Sequence, residues 1–341
     1  MKHTHEDSKR FRGRSAHRTV MRPFRRPARP TPRGNTPAGL KGAVIALATV
    51  VTVAASAGPA SATYPGTTNG RLAFAIDFGG NADIYSVMPN GEGLRRLTDS
   101  SGFDACPAYS ADGKQIAYCS GVQAAGGVTE IWVMKANGTE QRQVTTIGGR
   151  VTFPDFSPDG DRIVFAGMEP GATDADVFVI GSDGSGLVQL TNTPTNDRFP
   201  AWSPDGSRIA FVSDRTGIAQ IWVMDANGSD PQQLTFDIAR KDQVPDWSPD
   251  GTMIAYATLD PALGSDIWIV NADGGGQRRV TNDQARQIGA AWSPDGTQIA
   301  FLNNDDRFVY VINADGTGQR VVRPEGLQFV AAWQPRGHRI R

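Results

Sequence analysis

Apolar and polar positions along this chain follow one recurring phrase, most plainly FPAWSPDGSRIAF at 199–211. It returns as CPAYSADGKQIAY (106–118), FPDFSPDGDRIVF (153–165), VPDWSPDGTMIAY (244–256) and GAAWSPDGTQIAF (289–301), with a degraded copy, VAAWQPRGHRI, at 330–340. Each copy is an apolar run, a Pro-Asp-Gly turn and a second run of alternating apolar residues, the pattern of a β-hairpin. A third apolar stretch follows, as in EIWVMK (130–135), QIWVMD (220–225) and DIWIVN (266–271). A second Gly-containing turn and a short fourth run (RRLT, RQVT, VQLT, QQLT, RRVT, RVVR) complete the unit. Four strands in a period of about 45 residues predict a propeller blade.

The strand count predicts six blades. Strands two to four each occur six times, starting from RLAFAI at 71–76, but the first strand is missing before Arg71 and its sixth copy lies at 329–335. The chain ends therefore supply complementary parts of one blade, and their pairing closes the ring and removes both open edges. The predicted fold is all-β, a six-bladed propeller of four-stranded antiparallel blades.

Ahead of the repeats, residues 1–41 carry twelve Lys/Arg against Glu6 and Asp7, and AVIALATVVTVAASA at 43–57 is uncharged. With small residues at Ala60-Ser61-Ala62, this reads as a secretory signal peptide over 1–62 with a long basic first region. The apolar run is short for a membrane span of about 20 residues. Met21 is an alternative start, and Arg25-Arg26 suggests a twin-arginine signal less strongly than a Sec-type one. The propeller then occupies 63–341. It holds 22 Lys/Arg and 33 Asp/Glu, an acidic balance that argues against nucleic acid as partner.

Within 63–341 the one histidine is His338, so neither a Ser-His-Asp triad nor a histidine-bound catalytic metal is expected. Asp112, Asp159, Asp205, Asp250 and Asp295 recur at one turn, and Asp183, Asp273 and Asp315 at the other, which assigns them to blade construction. No cofactor or metal is expected. The only cysteines, Cys106 and Cys119, face each other if the strand pairing runs without interruption from the Ala111–Lys114 turn, and export would then favour a disulfide.

The AWSPDGxxIAF phrase, followed by IWVMDANG and a QLT strand, resembles the repeat of TolB-type propellers, WD-like units of secreted and periplasmic bacterial proteins. The likeness covers the propeller part alone. It implies a non-enzymatic scaffold that binds a protein or peptide; a carbohydrate-binding or carbohydrate-cleaving propeller is the alternative. The short turns repeat almost unchanged, whereas the connections at the opposite face vary, as binding loops on a rigid scaffold do. The partner-binding residues expected there are Arg150, Asp197, Arg198, Arg240, Lys241, Asp242 and Arg286 near the channel mouth, with Asp214, Arg215, Asp305, Asp306 and Arg307 further out. The expected product is a secreted monomer with no membrane span after cleavage.

Overall fold

The computed structural model describes residues 68–77, 81–122, 127–237, 241–260, 264–283, 285–322 and 327–336. The chain divides into Met1–Thr49 and Val50–Arg341, and every described residue belongs to the second unit. The predicted signal peptide lies outside the described residues.

The first strands to form a sheet are β1 (Thr68–Asp77), β2 (Ala82–Val87) and β3 (Arg95–Arg96). The next two repeats give β4 (Phe103–Tyr109), β5 (Gln115–Gly121), β6 (Thr129–Lys135) and β7 (Arg142–Gln143), then β8 (Arg150–Phe156), β9 (Arg162–Met168), β10 (Asp176–Gly181) and β11 (Val188–Gln189). A further repeat supplies β12 (Asp197–Trp202), β13 (Arg208–Ser213), β14 (Gln220–Asp225) and β15 (Gln232–Gln233). It is followed by β16 (Lys241–Trp247), β17 (Met253–Asp260), β18 (Gly264–Asn271) and β19 (Arg278–Arg279). Last come β20 (Gln287–Trp292), β21 (Gln298–Asn303), β22 (Phe308–Asn313), β23 (Arg320–Val322) and β24 (Leu327–Arg336).

These strands form a β-propeller of four-stranded antiparallel blades. Four sheets are closed blades, in the orders β24-β1-β2-β3, β12-β13-β14-β15, β16-β17-β18-β19 and β20-β21-β22-β23. A fifth sheet has eight strands, β4–β7 and β8–β11, joined by a parallel bridge between Thr129 and Arg150. Terminal closure is direct: β1 pairs antiparallel with β24 from Thr68–Arg336 to Asp77–Leu327.

Side-chain hydrogen bonds repeated from blade to blade explain why the phrase recurs. In the first turn, the hydroxyls of Ser110, Ser157, Ser203, Ser248 and Ser293 accept the N–H five residues on, at 2.9–3.0 Å. Each donates in turn to the Asp two residues on, at 2.5–2.8 Å. That Asp also accepts a backbone N–H from its own i+2 neighbour at 3.0 Å in all five turns. Burial works against the charge on Asp112, Asp205, Asp250 and Asp295, but these hydrogen bonds outweigh it and hold the carboxyls below their ordinary range.

The fourth-strand threonine has a similar duty. Thr98, Thr145, Thr191, Thr235 and Thr281 accept the N–H of Ile84, Ile131, Val177, Ile221 and Ile267 at 2.8–2.9 Å. Four of them also donate to a buried or half-buried acid, namely Asp83, Glu130, Asp176 and Asp266. A two-residue fourth strand has few ladder bonds of its own, so these hydroxyls tie it to the third.

Between blades the large rings do the packing. Tyr109, Phe156, Trp202, Trp247, Trp292 and Trp333, one from each first strand, are buried almost completely. Trp247 Nε1 donates to Ala201 O at 3.2 Å, and Trp333 Nε1 donates to Ala291 O at 3.1 Å, each crossing to the preceding sheet. Buried carboxylates make the reciprocal link: Asp155 accepts the N–H of Trp202 at 2.8 Å, and Asp246 accepts that of Trp292 at 2.5 Å. The third-strand Trp132, Trp222 and Trp268 are only half-buried and pack against the core clusters from outside.

One register expectation is overturned. Cys119 sits opposite Ala105, not Cys106, because the β4–β5 ladder slips by one residue between Ala105 and Ala108. Cys106 and Pro107 there oppose Tyr118 alone, a β-bulge located where Pro has no N–H to donate. Cys106 has φ 55°, and the equivalent Phe153, Phe199, Val244 and Gly289 lie at 58°, 55°, 48° and 64°. The four non-glycine residues of this set each precede a proline. The bulge is thus a feature of the repeat, and both cysteines are free, buried thiols. The bulge offsets Cys106 from direct backbone pairing with Cys119, yet the two thiols remain hydrogen-bonding neighbours.

Candidate functional site

Connections from second to third strands and from fourth to first strands emerge together on one face, opposite the Ser-Asp turns. Several charges expected to bind a partner there are already engaged inside the protein. Asp197 is fully buried and accepts Arg215 Nη2 at 2.9 Å. Arg215 lies between the rings of Phe211 and Trp222, its guanidinium carbon 5.4 and 4.7 Å from their centroids. Turning either group outward would break this ion pair and lift the half-buried Arg215 off both rings.

Arg198 is half-buried, 3.8 Å from Asp214, whose carboxylate also accepts the backbone and side-chain amides of Asn196. Arg286 Nε donates to Asp305 at 2.9 Å, and its backbone N–H donates to the other oxygen at 3.0 Å. These hydrogen bonds hold the Asp305 carboxyl below its usual range. Asp306 accepts the Phe308 N–H and the Tyr310 hydroxyl. Arg307 takes φ 64° in the same tight turn and is half-buried. Arg240 lies outside the described residues; Lys241 and Asp242 begin β16, and their side chains lie outside them too.

Among the described residues, Arg150 lacks the ion pair that Arg198, Arg215 and Arg286 each make. It is exposed at the start of β8, and no carboxylate pairs with it among the described residues. It stands at the rim of a cavity of about 430 Å³ between the β4–β6 strands and β8–β9. Val122, Val128 and Met168 line the cavity above the buried Cys106 and Cys119. Burial pushes the Cys119 thiol well above its ordinary pKa, so it is neutral, neither nucleophile nor anion. Val122 is 61% exposed and Val128 44%. Elsewhere on the face, Phe236 is 70% exposed and Leu259 36%.

These apolar groups escaped a reading built on charge. Among the described residues, no group of three or more His, Cys, Asp or Glu is arranged to hold a metal ion. No helix among them is long and apolar enough to cross a membrane. His338 lies outside the described residues.

The blade topology and closure define the class as a β-propeller. The model of the TolB beta propeller domain matches residues 44–173 and 140–261, more than half of the chain, and the chain belongs to that family. A second model, of the dipeptidyl peptidase IV N-terminal region, matches residues 215–325. A TolB homolog of Chlorobium luteolum is 42% identical over 53 residues, which is 16% of this chain and 12% of that protein's length.

Among solved structures, TolB from Acinetobacter baumannii aligns with TM-score 0.65 at 21% identity, over 80% of this chain and 68% of its own. A TolB from Agrobacterium tumefaciens aligns with TM-score 0.60 at 21% identity, over 78% of this chain and 98% of its own. An oligogalacturonate lyase from Vibrio parahaemolyticus aligns with TM-score 0.52 at 16% identity, over 78% of each chain. At such identities the structural likeness shows the fold alone.

Proposed function

We propose that this chain is an exported, non-enzymatic propeller of six blades that captures a protein or peptide on its variable-loop face. The observation that carries the reading is the contrast between the two faces. One is built of near-identical turns whose polar groups are engaged by their own residues; the other combines irregular loops, an Arg150 without an ion pair among the described residues and exposed Val122, Val128 and Phe236. Exposed apolar groups rimmed by charge are the usual composition of a recognition surface.

Six blades are favoured over a smaller number because the eight-stranded sheet consists of two antiparallel sets whose one strand-to-strand pairing is the parallel Thr129–Arg150 bridge. An equivalent parallel bridge, Ser265–Arg286, occurs between two sheets that are otherwise separate. Export rests on the basic region, apolar run and small-residue site within 1–62. Of the expected binding charges, Arg150, Arg198, Arg286 and Arg307 form the working set, joined by Arg240, Lys241 and Asp242, with the protein acting as a monomer.

The likeness to a lyase supports the carbohydrate alternative only at the level of fold. A pull-down with residues 63–341, run beside a glycan array, separates the two. Capture of a defined protein, weakened when Arg150, Arg198 and Arg286 are all changed to Glu, supports the proposal. Saturable glycan binding or turnover by the same material would replace it with the alternative.

A further inference from the structure

We infer that the cavity beside Arg150 is an anchor pocket for an aromatic side chain of a protein partner, carried next to a carboxylate that pairs with Arg150. The inference rests on the proposed binding role of the loop face and specifies what that face recognises.

Three observations lead to it. The first is shape: at about 430 Å³, the cavity falls within the roughly 300–1,000 Å³ typical of ligand pockets. Its mouth is formed by exposed valines and its floor by buried thiols.

The second is the chemistry of the wall. Phe103, Met168 and the two cysteines offer a ring and three sulfurs, and sulfur packs favourably against aromatic edges. Because Cys119 keeps its proton, the floor presents no charge to an entering ring.

The third is charge. Arg198, Arg215 and Arg286 each have a carboxylate neighbour, whereas Arg150 at this rim has none among the described residues. A partner carboxylate would give Arg150 the pairing that these three arginines already have. Glu169 lines the cavity from the β9 side and disfavours a carboxylate there, so the acid is directed to the β8 side. An aromatic group in a desolvated pocket beside a charge pair has the anatomy of an interface hot spot.

The test is a selection of random phage-displayed peptides on residues 63–341, followed by affinity measurement on the synthesised winners. The expected winners carry Phe, Trp or Tyr within a residue or two of Asp or Glu. Val128→Trp, which fills the mouth, should weaken them about 30-fold, the scale of a lost hot spot. Arg150→Glu should weaken acid-bearing peptides strongly, yet leave matched peptides with Gln for Glu within about threefold.

Ala172→Trp, on another part of the cavity wall, repeats the blockade independently, and melting temperatures confirm that the variants fold. A photoreactive benzophenone placed at the peptide's aromatic position should label the fragment containing Met168.

The inference is overturned if no peptide is enriched, if winners lack the aromatic–acid pairing, or if the filling variants bind them normally. Peptides insensitive to the cavity variants but lost with Arg198→Glu/Arg286→Glu would overturn the pocket and leave the loop-face reading standing. Peptides insensitive to all of these variants would overturn both.

Discussion

Replacing Trp333 by Ala tests the closure of the ring. The indole is fully buried in β24 among Leu72, Phe74, Val309 and Val311, so it joins the closing strand to its own blade and to the preceding one. Removing a buried Trp costs about 3–5 kcal/mol through lost transfer energy and the cavity left behind. The substitution also leaves Ala291 O without its 3.1 Å donor, a loss of about 1–3 kcal/mol that overlaps with the first. A combined destabilisation of about 4–6 kcal/mol follows.

With an unfolding entropy of about 2.1 cal/mol/K per residue, the roughly 270 residues from Thr68 to Arg336 give about 0.57 kcal/mol/K. The melting temperature should therefore fall by about 7–11 °C. Trp333→Phe keeps most of the burial and loses the N–H, so its fall should be less than half as large. The half-buried Trp132→Ala, in a third strand, should also fall well short of Trp333→Ala. Calorimetry on all three, with urea titration as a second measure, provides the assay. A Trp333→Ala melt within 3 °C of the parent, or one matched by Trp132→Ala, would refute closure through this side chain.

The remaining predictions concern titration, the thiols and the fourth strand. The turn aspartates have folded pKa values below the unfolded value near 3.9. Their stabilisation is present above that pH and is lost as pH falls through the folded values, so melting temperature should drop steeply below about pH 4. Asp246 has the opposite sign: burial first, then the nearby Asp155, raise its pKa, so its contribution is present below about pH 4 and is lost as pH rises through the folded value. Asp246→Asn should keep an acceptor for the Trp292 N–H and make melting less sensitive to pH on the alkaline side. Cys106 and Cys119 should both take up iodoacetamide in denaturant without reductant, read as two adducts by intact mass; a mass unchanged until reduction would show them bridged. Thr235→Val should cost about 1–3 kcal/mol by leaving the Ile221 N–H unpaired, seen as a lower urea midpoint with unchanged slope.

Repetition made most of the fold legible in the sequence. The spacing of Tyr109, Phe156, Trp202, Trp247, Trp292 and Trp333 gave the blade period, and the missing strand before Arg71 announced terminal closure, which β1 and β24 carry out. Such features are local or periodic: a turn chooses its own residues, and a strand alternates whatever it packs against.

What the sequence left open depends on groups far apart in the chain. The bulge at Cys106 changed which residue faces Cys119, because one extra residue shifts every pair beyond it. Asp197 looked like a surface charge until Arg215, Phe211 and Trp222 converged on it. Arg150 resembled Arg198 and Arg286 by composition, but among the described residues it makes no ion pair where they do. The sequence determined the strands and their order; tertiary packing decided which charges are spent within the fold and which face outward, since pairing and burial are properties of neighbours in space.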